Sequence, residues 1–215
     1  MQDNRQDYIF GYGSLIEKES RLRTTPGTDF AIPVSVAGIA RGWWLRGTAV
    51  GFNTTFLGAE LLEGATTNGV IYKVSHGGLL DTDKRESDYK RVKFNPKDIT
   101  RLDGSSEMPD GDYWVYTLKK EIELPAADFP IVQSYVDICL KGCLDMQETY
   151  PGAAGFAEKF ITTTQDWSDF WENDRAFPRR PFQTPRAREI DKLLHTAFAK
   201  RFMQIRLPGG QKAQL

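Results

Sequence analysis

Apolar positions recur every second residue through most of the first half of the chain and every three or four residues through much of the second. Tyr8, Ile9 and Phe10 read as a buried strand entering from a polar N-terminus. It runs into Gly11, Tyr12, Gly13 and Ser14, where the backbone must bend sharply or approach something closely. Residues 34–47 alternate as a strand that turns at Gly38. Residues 54–62 and 68–74 predict two more strands with a turn over 63–69, and 112–120 predicts another. Residues 76–94 combine a short helical piece with a return to strand. Ile131, Val132, Tyr135, Ile138, Cys139 and Leu144 keep helical spacing, with a start expected near Asp128 and Pro130. Trp167, Phe170 and Trp171 recur at intervals that suit one helix face. Residues 184–205 form the strongest helix candidate, with Thr184 as N-cap, Pro185 at the first helical position, and Ile190, Leu193, Leu194, Ala197 and Phe198 as one apolar stripe. Strands first and helices second predict an α+β domain built round a barrel or strongly bent sheet. We expect the core domain over residues 1–146. Residues 147–215 are expected to form a mostly helical extension packed on the same domain, with a frayed tail from 206.

Composition narrows the function classes. The chain has 215 residues, 40% of them hydrophobic, which is enough for one sizeable core. Its 28 basic and 29 acidic side chains leave a formal charge of −1, which argues against a general polyanion binder and hence against a nucleic-acid partner. No apolar run is long enough to cross a bilayer, so no membrane partner is expected, and the opening MQDNRQD lacks the basic start and apolar core of a signal peptide. Cys139 and Cys143, four apart, would share a helix face as small buried thiols. With His76 and His195 distant from them, they do not make a zinc site, and we read both histidines as structural. A cytoplasmic protein without metal or cofactor is the expectation, with its oligomeric state open.

Two segments carry candidate chemistry. Successive backbone N–H groups in the glycine turn can converge on a carboxylate or phosphate, with the Ser14 hydroxyl as a further donor; the plainer reading is a tight turn with no ligand. A P-loop is the poorer reading, since no Gly-Lys-Ser/Thr follows and LIEKES puts acid where a phosphate site wants a cation. In LLDTDKRESDYKRVKF, Glu86 is either surface charge beside Arg85, Asp88 and Lys90, or a carboxylate at a cavity mouth, with a raised pKa and able to move protons.

FGYGSL followed by LDTDKRESDYKR resembles the γ-glutamylcyclotransferase superfamily, which includes the glutathione-degrading ChaC-type enzymes and the AIG2-like proteins. The resemblance covers residues 8–146. Its motif positions here are Tyr12, Gly13, Ser14 and Leu15, then Leu80 and Asp81, then Glu86, then Tyr89. It implies a mixed β-barrel with flanking helices and Glu86 as general acid/base. Tyr12, Gly13, Ser14, Leu15 and Tyr89 would bind substrate, along with Tyr116 on the final strand and Tyr135 near the start of the following helix. For both of those tyrosines a purely core role stays open. Arg46 would hold a substrate carboxylate or else sit at a strand end on the surface. Many relatives have glycine after the glutamate where this chain has Ser87.

The implied reaction is a cofactor-free acyl transfer. The α-amine of a γ-glutamyl amide attacks its own side-chain carbonyl, releasing 5-oxoproline and an amine or peptide. Glutathione, γ-glutamyl amino acids and γ-glutamylamines are admissible partners, and the GYGSLI form leans towards the glutathione-acting branch. A non-catalytic small-amide sensor and a protein-interaction module are the alternatives. In the aromatic and arginine-rich segment 167–182, the arginines either dock the extension or, through Arg175, Arg179 or Arg180, reach carboxylates of the leaving group.

Overall fold

The computed structural model describes residues 5–49, 51–86, 88–180 and 184–205. Ser87 and the tail expected to fray lie outside the described residues. β1 (Asp7–Gly11) stands inside a seven-stranded mixed sheet, where it is antiparallel to β3 (Phe52–Val74) and parallel to β6 (Asp112–Leu118). β3 pairs on to β2 (Ile32–Ala49), and β2 pairs with both β5 (Ile99–Arg101) and β8 (Thr164–Gln165). β4 (Tyr89–Phe94) completes the sheet beyond β6. β7 (Ile131–Val132) and β9 (Trp171–Glu172) form a separate parallel pair. The helices are α1 (Lys18–Thr24), α2 (His76–Arg85), α3 (Gln133–Thr149), α4 (Phe156–Thr163) and α5 (Ala187–Phe202). The molecule is thus α+β, with helices flanking a mixed sheet.

At about 3.3 Å per residue, strands the length of β2 and β3 would reach on the order of 60–75 Å if straight, too far for a domain of this size, so they must curl. The bends are visible in the register. Ala37 faces Thr66 and Ile39 faces Leu61, which leaves residues 62–65 opposite Gly38 alone; a second slip falls between Trp43 and Leu45. Positive φ at Gly38 (79°) and Gly64 (81°) makes the first bulge possible. The turn expected over 63–69 is therefore only this bulge, and residues 66–69 continue β3. Pairing with β2 satisfies their backbone and overrides the turn-forming composition.

Three helix expectations need correction. The N-cap of α3 is Val132, without a side-chain cap bond, and not a residue near Asp128. The cap comes instead from far along the chain: buried Asp174 accepts from Ser134 N and from Ser134 Oγ, both at 2.7 Å. The N-cap of α5 is Arg186; Thr184, two residues earlier, accepts at Oγ1 from Arg186 N. Residues 167–170 are irregular, with a bend at Asp169, and not helical; Trp171 begins β9. Trp167 and Trp171 are buried, stacking at 5.2 Å, while Phe170 is exposed, and pairing with β7 takes up the backbone from the Phe170 carbonyl to Glu172.

The core joins both halves. Ile9, Val34, Val70 and Val115 from the sheet cluster with Val136, Cys139, Leu140 and Cys143 of α3, Phe156 and Phe160 of α4, and Ile190 and Leu194 of α5. α3 is buried on nearly every side, so it behaves as a core element and not as an amphipathic surface helix. Gly142 allows this: a Cβ there would lie 2.5 Å from Glu17 N, so α3 rests directly on the backbone that follows the glycine turn.

Candidate active site

β1 delivers the chain into the 12–15 loop, and buried side chains tie back the loop's carbonyl groups. Arg41 on β2 donates to Tyr12 O (3.0 Å). Arg21 on α1 donates to Leu15 O (2.9 Å) and Ile16 O (3.1 Å). Gly13 O accepts from Ile16 N and Ser14 O from Glu17 N in a single 3-10 turn, Ser14–Ile16. The first N–H groups of such a turn have no acceptor inside it, so those of Ser14 and Leu15 are donors available beyond it.

Arg41 is the hub beneath the loop. It is fully buried, yet its donors meet neutral oxygens: Tyr12 O, Asn68 O (2.7 Å), Asn68 Oδ1 (3.2 Å), Phe160 O (2.9 Å), Thr163 Oγ1 (3.0 Å) and Thr164 Oγ1 (2.8 Å). Its guanidinium also lies 3.9 Å from the Phe160 ring centroid. Burial lowers its pKa to about 10, which still leaves it charged at neutral pH.

The loop forms one wall of a cavity of about 350 Å³. Every residue to which the resemblance gave a catalytic or substrate-binding role lines it: Tyr12, Gly13, Ser14 and Leu15 on one side, with Arg46, Glu86, Tyr89, Tyr116 and Tyr135 around them. Glu86 caps the C-terminal end of α2, its N–H bonded to Thr82 O. Its side chain is 24% exposed and meets Arg85 Nε at 3.3 Å. Burial raises its pKa, against the lowering effect of Arg85 and, further off, Arg180.

Tyr12, Tyr89 and Tyr116 are fixed by their hydroxyls. Tyr12 donates to Tyr116 O (2.8 Å), Tyr89 to Leu57 O (3.0 Å), and Tyr116 to Asp83 Oδ1 (2.8 Å), whose other oxygen pairs with Arg91 at 3.0 Å. Tyr135 packs its ring edge-on against Trp43 (5.9 Å) and Phe56 (5.3 Å), and its hydroxyl lies beside the loop. That hydroxyl would stand 3.1 Å from a Cβ at Gly13, so a larger residue there pushes directly on Tyr135. Arg46 lines the cavity, but its Nε donates to Leu124 O (2.8 Å) and its guanidinium lies over Phe129. Cys139 and Cys143 are buried free thiols with raised pKa values, Cys139 at about 12, and are poor nucleophiles.

Neither protein-family models nor curated protein sequences match this chain, but solved structures do. A structure described as a γ-glutamyl cyclotransferase aligns with a TM-score of 0.57 and 13% identity over 89% of this chain and 99% of its own. The chain has the γ-glutamyl cyclotransferase fold. An uncharacterized protein from Homo sapiens aligns with the same TM-score at 14% identity, over 77% of this chain and 92% of its own. YkqA from Bacillus subtilis aligns with a TM-score of 0.50 at 20% identity, over 73% of this chain and 53% of its own. At such identities the γ-glutamyl cyclotransferase fold is what these structures share, and the chemistry must be argued from residues.

Sequence reasoning missed the two arginines that hold the loop. Arg41 left a trace, a lone cation among Ile39, Ala40, Trp43 and Trp44 in an apolar strand, where burial demands multiple acceptors. Arg21, in a charged run, left none. The segment 174–180 divides the three arginines considered there. Arg175 pairs with Asp137 and Asp191, Arg179 pairs with Glu172, and Arg180 enters the cavity.

Proposed function

We propose that the protein cyclises the γ-glutamyl group of a small amide or peptide to 5-oxoproline and releases the amine, with Glu86 as general acid and base. The observation that carries this reading is that Glu86, its pKa raised by burial, shares one cavity with a loop whose carbonyls are tied back and whose first turn presents donors.

The substrate supplies its own nucleophile, so the protein's tasks are to fold the γ-glutamyl chain and to move protons. Glu86 takes a proton from the α-ammonium, and the freed amine attacks the side-chain carbonyl. A new C–N bond closes the five-membered ring, and the tetrahedral centre collapses as the original C–N bond breaks. The ring nitrogen keeps one of its three protons, and the other two pass through Glu86 to the departing nitrogen. That nitrogen leaves as an ammonium group, so no proton is gained or lost overall. The N–H groups of Ser14 and Leu15 stabilise either the α-carboxylate or the oxyanion, and the charge of Arg41 below the loop favours anion in both places.

The test is 5-oxoproline release from glutathione, γ-glutamyl-alanine and γ-glutamyl-ε-lysine by wild type and Glu86→Gln. Glutamine keeps the shape and removes the proton chemistry, so turnover should fall roughly 10²- to 10⁴-fold. Equal turnover in the variant would remove Glu86 from the mechanism. Binding of a panel member by wild type without turnover would favour the sensor reading.

A further inference from the structure

Three arginines line the cavity, and two have their Nε committed. Arg85 Nε meets Glu86 Oε1 and Arg46 Nε donates to Leu124 O. The third, Arg180, has a buried Nε with no hydrogen-bond partner, and among the described residues its guanidinium forms no ion pair. It lies 5.9 Å from the Phe56 ring centroid and 5.8 Å from that of Tyr135. A guanidinium resting on ring faces keeps its planar edge of N–H donors pointing sideways, the edge that matches a carboxylate.

The backbone around Arg180 is held in place. Arg180 N donates to Ser134 Oγ (3.2 Å) and Arg179 N to Asp174 Oδ2 (2.7 Å). Arg175 makes a two-point contact with Asp137 on α3. The side chain is therefore delivered into the cavity by anchored chain, so little of its freedom is left to be lost when a ligand binds.

We propose that Arg180 is a substrate-binding residue that receives a carboxylate of the γ-glutamyl compound, so that the C-terminal extension completes the site and sets its preference for acidic substrates. The inference rests on the cyclisation reading for the identity of the ligand. Two carboxylates have the required chemistry: the α-carboxylate of the glutamyl group, and the one carried by an amino-acid or peptide leaving group.

Steady-state kinetics on γ-glutamyl-alanine, which has both carboxylates, and γ-glutamyl-ethylamine, which has only the first, separate these sources. Arg180→Ala should raise KM roughly 10- to 100-fold with kcat little changed. Arg180→Lys should recover part of the loss, since it keeps the charge without the planar fork. A rise confined to γ-glutamyl-alanine assigns the leaving-group carboxylate, and an equal rise for both assigns the α-carboxylate. Unchanged KM for both, in a variant whose thermal melt matches wild type, overturns the inference while leaving cyclisation intact. If wild type shows no turnover, calorimetric titration with γ-glutamyl-alanine decides. Binding lost in Arg180→Ala keeps Arg180 as the carboxylate ligand and discards cyclisation, equal binding in both proteins overturns the inference, and no binding by wild type overturns both.

Discussion

Two arginine-rich regions meet at the cavity and use their charge differently. Beneath the 12–15 loop, Arg21 and Arg41 are buried and donate to carbonyl, amide and hydroxyl oxygens. In the segment that follows β9, Arg175 and Arg179 are neutralised by carboxylates and, among the described residues, Arg180 is not. Neutral acceptors satisfy a cation's geometry without cancelling its charge, so Arg41 leaves a positive field under the loop. Carboxylate partners cancel charge and fasten segments together, which is how the extension is held to α3. The comparison separates arginines that build the site from the one that remains available to a ligand.

Replacing Arg41 is the harshest way to break this contrast. Arg41→Met keeps bulk but strands the carbonyls of Tyr12, Asn68 and Phe160, and the chain should lose on the order of 4 kcal/mol of stability in urea denaturation. Arg180→Ala should change stability by less than about 1 kcal/mol, because its Nε has no hydrogen-bond partner to lose and, among the described residues, its guanidinium forms no ion pair. Similar losses in the two variants would abolish the distinction.

Asp174 sharpens the contrast at the rim. Asp174→Ala removes the cap on α3 and the acceptor for Arg179 N, and should cost about 2 kcal/mol. Because the same backbone delivers Arg180, KM for γ-glutamyl-alanine should rise with kcat retained. A variant that loses stability with no change in KM would uncouple the cap from the site.

The smallest effect concerns Glu86. Burial raises its folded-state pKa above the ordinary 4.5, so the folded chain holds that proton more tightly than the unfolded chain. Stability from this group is greatest below that ordinary value and falls as pH rises through the raised one. Glu86→Gln should therefore melt above wild type at neutral pH, with the gap closing as the pH approaches 4. Catalysis runs the other way. Proton abstraction needs the carboxylate, so kcat/KM should fall as pH drops through the raised Glu86 pKa. A Glu86→Gln melt equal to wild type at every pH would show that the carboxylate carries no burial penalty.

Much of the candidate site could be read along the chain because its members sit in short local patterns. FGYGSL reads locally as a strand-to-turn transition, and it is the resemblance carried by FGYGSL and LDTDKRESDYKR together that joins Glu86 to it. Tyr116 and Tyr135 were legible only as positions on predicted elements. What holds each was hidden, since the Tyr116 hydroxyl partner Asp83 and the Trp43 and Phe56 rings packed on Tyr135 come from elsewhere in the sequence. The misread segments share a cause. Residues 66–69 have turn-like and 167–171 helix-like local spacing, but β2 claims the backbone of the first and β7 that of Phe170 and Trp171, at the end of the second.

The sequence by itself determined the α+β class, the glycine turn after the first strand, the helix before Glu86, and the types of residue that gather at the site. Periodicity and turn chemistry are local properties, legible within one or two turns of chain. Only the tertiary structure decided that Arg41 and Arg21 grip the loop, that Asp174 caps a helix 40 residues away, and that of Arg175, Arg179 and Arg180 it is Arg180 that reaches the cavity. Each of those depends on which acceptors surround a charged group once water has been excluded. That is a property of the packed core, because the same arginine is solvated in an open chain and must find its partners only when the sheet and helices close over it.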